Sequence, residues 1–515
     1  MARPHPALVL GLALIASACA SHRYAYPPAP LNPAVGSLTL RSDTLETKSG
    51  NHRADFGTLV VPENRRSPGS RLITLPVIRI PATESAHAEP IFLLNGGPGL
   101  SNMEWRPREA LLSNHDLVMV GYRGVDGSSV LDCPEVERAL KGEGDVLSER
   151  SLLGMGAAWT RCASRLQENG VDLDGYTMID VVDDLEAARI ALGYERVNLL
   201  SLSYGTRLAY LYALRHASSI RRSAMIGVNP PGHMVWEAAA VDSQLQHYAD
   251  LWARDTVTSA RAADLGALMH EVTHNMPRRW FLLSIDPGKV RVATFVLLYH
   301  RNTAPLVFDA YVAASRGDAS GLALMSLAYD RILPSLFTWG DLAAKAVSAD
   351  YDSSRNYAAD LDPPQSTIGS PLGRLLWGPL RFGSWPTSLI PEEYRRVRPS
   401  GVETLLISGN LDFSTPAEVA ESELLPHLAN GRHVVLSDMG HVDDTWGSRQ
   451  QGVNLLLTSF FETGIANDSL INHVPIDFRV RRGFPKMAKI GRGVVLGGAV
   501  MVVGGVTWLV SALTR

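Results

Sequence analysis

Three residues stand where a covalent acyl transfer would need them. Ser203 lies in "VNLLSLSYGTRLAYLYAL", Val197–Leu214, where a run of β-formers turns directly into a helical pattern. A strand that ends in a tight turn and becomes a helix at once strains the turn's serine and exposes its Oγ. The helix N-terminus then favours negative charge nearby. Strand and helix pass so closely that the residues two before and two after the serine must be small, which is the reason for G-x-S-x-G. Here the frame is Ser201-Leu202-Ser203-Tyr204-Gly205, with a hydroxymethyl group added at the first position. A serine nucleophile needs a base and a group that orients the base. Asp412 follows a strand pattern in "LLISGNLDFSTP", and His441 follows the next one in "VVLSDMGHVDD". His433 sits at a strand start, the wrong end. Asp438 and Asp443 flank His441 but do not lie in the loop after the preceding strand, where the acid belongs.

A third part is a place for the oxyanion of a tetrahedral intermediate. "FLLNGGPGLS" ends a strand pattern with Gly96, Gly97, Pro98 and Gly99, and glycines let backbone N–H groups approach a reacting carbonyl. Donors there would act with the N–H of Tyr204, the residue after the nucleophile.

These residues need a scaffold that brings strand ends together. Apolar, β-branched runs begin at Gly57, Arg71, Pro90, Asp116, Arg196, Arg222, Val402 and Arg432, and the inner ones are nearly continuous, as strands covered on both faces are. Helical patterns alternate with them. "MIDVVDDLEAARIALG" puts Val181, Leu185, Ala188 and Leu192 on one side and Asp183, Asp184 and Glu186 elsewhere. The alternation argues an α/β fold with a mainly parallel sheet. Residues 231–399 differ, with many helical patterns and few strand signals, and read as a helical cap inserted between two strands.

Ser, Asp, His is the chain order of α/β-hydrolases. "NGGPGLS", "GYRGVDGSS", "LSLSYGT", "SGNLDFSTP" and "MGH" together resemble the prolyl and tripeptidyl aminopeptidase branch of that superfamily, over roughly Phe56–Pro231 and Val402–Phe461. The resemblance implies an α/β-hydrolase fold with a mainly parallel eight-stranded sheet and an inserted helical cap. It implies Ser203 as nucleophile, Asp412 as acid, His441 as base, and Gly97 and Tyr204 as oxyanion donors. It also implies a cap carboxylate for the substrate's free amino terminus, for which Glu237 or Asp242 is the candidate. The chain departs from the pattern at Ser201, and at Gly121 and Tyr122, where the family has an acidic residue and its neighbour.

The two ends carry membrane signals. Arg3 precedes an apolar run, Ala7–Ala18, that is too short to span a bilayer and right for a signal-peptide core. It closes in "IASACA", similar to a lipobox, with Cys19 as the lipidated residue. The uncharged run Gly493–Leu513 is long enough for a transmembrane helix, and its glycines suit a membrane better than a water-exposed helix. The organisation expected is signal peptide 1–19, Pro-rich tether 20–50, hydrolase core 51–230, cap 231–399, core 400–470, basic linker 471–492 and transmembrane helix 493–513. Cys133 and Cys162, exported together, read as a disulfide.

With a net charge of −4 over 515 residues, no basic field argues for nucleic acid. No zinc-type Cys/His spacing occurs, and the chemistry implies neither metal nor organic cofactor. The expected protein is a membrane-attached serine hydrolase of a bacterial cell envelope, with its catalytic domain periplasmic or extracellular. Its expected partners are membrane lipid and a peptide or ester substrate. The first choice is an aminopeptidase on short peptides. The alternatives are an esterase or lipase on the same scaffold, and a binding protein that has lost activity.

Overall fold

The computed structural model describes residues 25–47, 50–84, 88–104, 108–142, 144–448 and 450–496. Its strands are β1 (Leu38–Thr47), β2 (Gly50–Pro62), β3 (Leu72–Ile80), β4 (Ile91–Leu94), β5 (Leu117–Val120), β6 (Val197–Leu202), β7 (Ile220–Ile226), β8 (Arg279–Trp280), β9 (Leu283–Ser284), β10 (Glu403–Gly409) and β11 (Gly431–Leu436). Nine of these form one sheet in the order β1-β2-β3-β5-β4-β6-β7-β10-β11, and β8 with β9 makes a separate hairpin. The first three pairings, β1 with β2, β2 with β3 and β3 with β5, are antiparallel, and every later one is parallel. β4, β5 and β6 are buried at every position, which explains their nearly continuous apolar sequences, broken only by Asn198 and Ser201 in β6. Because the central strands are parallel, the loops after β4, β6, β10 and β11 open on one edge of the sheet, the usual place for a ligand in an open α/β sheet.

Three expectations are corrected here. The sheet has nine strands rather than eight, because β1 lies within the supposed tether 20–50. Its sequence "LTLRSDTLET" is polar and largely exposed, so hydrophobic patterning misses it. Its register with β2, from Leu38 opposite Leu59 to Thr47 opposite Gly50, holds it at the edge, where charged side chains are the normal protection against further pairing. The helix Met178–Ala191 buries Val181, Leu185 and Ala188 as expected, but it also buries Asp184. That carboxylate receives Arg123 Nε and Nη2 at 2.6 and 2.7 Å and Arg65 at 2.6 Å. A buried counter-charge reverses the usual outward placement of a charge. Finally, the basic stretch 471–492 is not a free linker. Phe478 and Phe484 are buried, and the helix Phe484–Leu496 bonds to the cap through Ser320 Oγ on the Pro485 carbonyl and Lys489 on Asp318.

Between β7 and β10 the chain builds the cap, whose helices include Ala238–Arg254, Pro287–Leu297, Ser320–Ile332, Trp339–Asp350 and Pro371–Trp377. Arg207, from the helix after Ser203, joins core to cap by a fully buried pair with Asp350 at 3.1 Å. Cys133 and Cys162 form a disulfide, with Cα atoms 5.5 Å apart, that ties the segment after β5 to the helix Glu149–Glu168. The signal segment 1–19, Cys19 and all but the first four residues of the run 493–513 lie outside the described residues. Among the described residues no helix is long and apolar enough to cross a membrane.

Candidate active site

Ser203 occupies the turn between β6 and the helix Tyr204–Arg215 with φ 49° and ψ −121°, a conformation that costs a non-glycine residue about 1–3 kcal/mol. The packing that demands small neighbours is visible. A Cβ at Gly205 would lie 2.2 Å from the Leu94 carbonyl oxygen, and one at Gly96 would lie 2.9 Å from Ser203 Cβ. The departure at Ser201 is accommodated, because its buried Oγ donates to the Ala224 carbonyl of β7 at 3.1 Å. The departure at Gly121 has its own cause. A Cβ there would meet Pro76 and Asp126 within 2.7 Å. The Asp126 carboxylate accepts the N–H groups of Tyr122 and Asn102 at 2.8 and 3.0 Å.

His441 and Asp412 complete a hydrogen-bonded chain with Ser203. His441 Nε2 lies 2.9 Å from Ser203 Oγ, and its Nδ1 lies 2.8 and 3.0 Å from the two Asp412 oxygens. With the Nδ1 proton directed at Asp412, Nε2 is left to accept the Ser203 hydroxyl proton. Asp412 is fully buried and its orientation is fixed, since it accepts the N–H groups of Ser414 and Thr415 at 2.8 and 2.9 Å and the Thr415 hydroxyl at 2.7 Å. Burial opposes the charged form of His441. The Asp412 charge and hydrogen bond, with the charges of Asp443 and Asp444, outweigh it and hold the imidazole above the ordinary histidine pKa.

The cap contributes directly to this arrangement. Tyr299 O accepts the His441 N–H at 2.6 Å, and Asp444 Oδ2 accepts the N–H groups of Gly440 and Arg301 at 3.0 and 2.7 Å. Arg301 and Tyr299 belong to the cap segment after the helix Pro287–Leu297, and nothing in their sequence context marks the role. Asp341 and Lys345, four apart in the cap helix Trp339–Asp350, carry no sequence signal of a role here, yet both are fully buried and Asp341 reaches the glycine loop. Thr415, one residue from Pro416, was legible only as part of "DFSTP".

Gly97, Tyr204, Ser203 and His441 line one cavity of about 420 Å³ between core and cap. Gly97 has φ +72°, so the glycine loop needs a residue free to adopt it. The Tyr204 N–H is at the first helical position and has no intrahelical acceptor. The carboxylates expected to hold an amino terminus are elsewhere, and this corrects that expectation. Glu237 pairs with Arg355 at 2.7 Å, and Asp242 accepts the Thr367 N–H at 3.0 Å. Neither lines the cavity. Spacing alone did not reveal that a cap arginine would claim Glu237. Of the flanking acids, Asp443 lines the cavity, whereas Asp438 binds His473 at 3.0 Å. His433 bonds Ser408 on the neighbouring strand. Among the described residues there is no cluster of three or more His, Cys, Asp or Glu able to hold a metal.

A mainly parallel sheet with helices, a strained serine between strand and helix, and a Ser–His–Asp chain across its loop edge are the arrangement of the α/β-hydrolase fold. A family profile described as alpha/beta hydrolase fold matches residues 89–286, which include Gly97, Ser203 and Tyr204. The chain is similar to a tripeptidyl aminopeptidase of Streptomyces lividans, 27% identical over 209 residues, covering 37% of this chain and 38% of that protein. It is 27% identical over 196 residues to serine protease Hip1 of Mycobacterium tuberculosis, covering 34% and 36%. To putative hydrolase YuaR of Escherichia coli it is 29% identical over 167 residues, covering 30% and 31%. The match thus spans under two fifths of the length of these relatives.

Proposed function

We propose that the protein is a serine hydrolase that forms an acyl-enzyme on Ser203. The observation that carries this reading is the unbroken chain Ser203 Oγ, His441 Nε2, His441 Nδ1, Asp412, at 2.9 and 2.8 Å. His441 takes the Ser203 proton as the serine attacks a carbonyl carbon, then returns it to the leaving group. Gly97 and Tyr204 supply N–H groups to the oxyanion, each worth about 3–4 kcal/mol of barrier. Water deacylates the serine by the same route. Stopped-flow hydrolysis of p-nitrophenyl butyrate tests the reading: wild type releases a burst of one p-nitrophenol per chain, and Ser203→Ala releases none. A folded wild type without burst or turnover would contradict it and favour the binding-protein alternative.

A second reading is an aminopeptidase on short peptides. Its similarity to the tripeptidyl aminopeptidase of Streptomyces lividans supports it, as does Asp443, the single carboxylate among the described cavity-lining residues. Faster cleavage of aminoacyl anilides than of their N-acetylated forms is its signature; equal rates would remove it.

The envelope location is also a proposal: export, lipidation at Cys19, and a membrane helix at 493–513. The leader-like start, the apolar run near the end and the disulfide support it. Protease digestion of intact cells and spheroplasts tests it. A catalytic domain protected in spheroplasts would contradict it.

A further inference from the structure

The cavity is chemically lopsided. Its polar lining gathers around Ser203 and His441: Ser414 is next but one to Asp412, and His300 lies 3.9 Å from Asp443. The remaining wall comes from four cap helices and is mostly hydrocarbon, with Val296, Ile332, Leu342, Leu372 and Leu376 representative of it and the Tyr329 hydroxyl a polar exception. Among the described lining residues there is no lysine or arginine, and Asp443, the one carboxylate there, leaves half of its side chain in solvent. Several polar groups that line the cavity are already engaged within the protein, whereas the buried hydroxyls of Tyr204 and Tyr329 have no partner among the described residues. Asn95 donates to the Ser101 carbonyl at 3.0 Å and accepts the Gly96 N–H, and Asn229 donates to the His233 carbonyl at 2.8 Å. Trp236 and Trp339 donate to the carbonyls of Ser414 and Pro334 at 3.0 and 2.8 Å.

Such a wall discriminates strongly. A peptide entering it brings N–H and C=O groups that lose water and find few partners, and a free ammonium brings a charge that finds no counter-charge in the described helical wall. An alkyl chain loses nothing polar and gains with each methylene buried. Resting on the serine-hydrolase reading above, we propose that the cavity takes the acyl half of a carboxylic ester as an uncharged aliphatic chain, which makes medium-chain acyl esters the substrate class. Ser203 Oγ attacks the ester carbonyl carbon, its proton passes to His441 Nε2, and the C–O bond to the alcohol breaks as that proton is delivered to the departing oxygen. Water then gives a proton to His441 and its hydroxyl to the acyl carbon, releasing the aliphatic acid and restoring the Ser203 hydroxyl. Ester and water become acid and alcohol, with no further reactant.

The test uses the full chain in detergent, with p-nitrophenyl acetate, butyrate, hexanoate and octanoate, and with leucyl and trialanyl p-nitroanilides in free and N-acetylated forms. The expected result is a kcat/KM that rises at least about 30-fold from acetate to octanoate, with both octanoate and hexanoate far ahead of every anilide. Ala328→Phe and Ile332→Phe each place a ring in the cavity wall and lower the octanoate-to-acetate ratio at least 10-fold; two sites guard against one variant failing to fold. A normal burst with a flat or falling chain-length series, or a preference for free-amine anilides, overturns the acyl-chain proposal and leaves the hydrolase reading standing. No burst with any ester overturns both.

Discussion

Gly99 N–H donates to Asp341 Oδ2 across 2.9 Å, and Thr338 N–H donates back to the Gly99 carbonyl at 2.8 Å, so the glycine loop facing Ser203 is held by the cap. Lys345 Nζ lies 2.5 and 2.6 Å from the two Asp341 oxygens and 3.1 Å from the Arg123 carbonyl. Both side chains are fully buried. Burial pushes the Asp341 carboxyl up and the Lys345 amine down, and their mutual attraction opposes both shifts.

Asp341→Ala therefore leaves Lys345 as an uncompensated buried charge and releases the loop. Urea denaturation is expected to register a loss of about 3–5 kcal/mol. The double variant Asp341→Ala/Lys345→Met recovers much of that stability, while the acylation rate stays low because the Gly99 bond is still missing. Full recovery of acylation in the double variant would show that the loop does not depend on Asp341.

The pH profile follows from His441. Its pKa is raised, and the base must be neutral to accept the Ser203 proton, so activity falls as pH drops through that raised value. The acid limb of kcat/KM is expected above about 6.5, the ordinary histidine value. Asp443→Asn removes one of the charges that raise it and shifts the limb to lower pH. A limb below 6.5, or one unmoved by Asp443→Asn, contradicts the electrostatic account.

Ser201 tests the elbow packing. Ser201→Gly loses the bond to the Ala224 carbonyl and adds a glycine to a strand, a cost of about 1 kcal/mol in thermal denaturation, with acylation kept. Ser201→Val overfills a fully buried site beside β7 and costs about 1–3 kcal/mol, with acylation lost as Ser203 is displaced. Comparable acylation by both variants would mean the first elbow position is not space-limited.

The disulfide closes a loop of 29 residues, for which chain entropy gives about 3.6 kcal/mol. Cys133→Ala/Cys162→Ala is expected to lower the urea midpoint accordingly, without altering the pH profile. Thiol counting on unreduced, denatured protein is expected to find neither Cys133 nor Cys162 free.

The parallel core was legible because β4, β5 and β6 are buried on both faces and so are written in nearly unbroken apolar residues. Ser203, Asp412 and His441 were legible because each follows a strand pattern directly and the fold puts those strand ends on one edge. What escaped is what long-range pairing decides. β1 is polar and exists through its register with β2. Asp184, Asp341 and Lys345 are charges turned inward by partners far along the chain or one helical turn away. The stretch after Asp412 changes its winding within a few residues, with a wide turn over Ala420–Leu424 and a tight one over Leu425–His427, where Pro426 removes a backbone donor. Glu237 was misassigned because its partner Arg355 lies over a hundred residues on, at a distance no local pattern reports.

The most direct test is active-site labelling of the purified protein with a fluorophosphonate, located by mass spectrometry of the digested chain. The account predicts one adduct per chain, on Ser203 alone, lost in Ser203→Ala and slowed at least 10³-fold in His441→Ala, in line with the loss of a base that works with its nucleophile as a unit. A folded wild type that takes up no label, or takes it up on another residue, would contradict it.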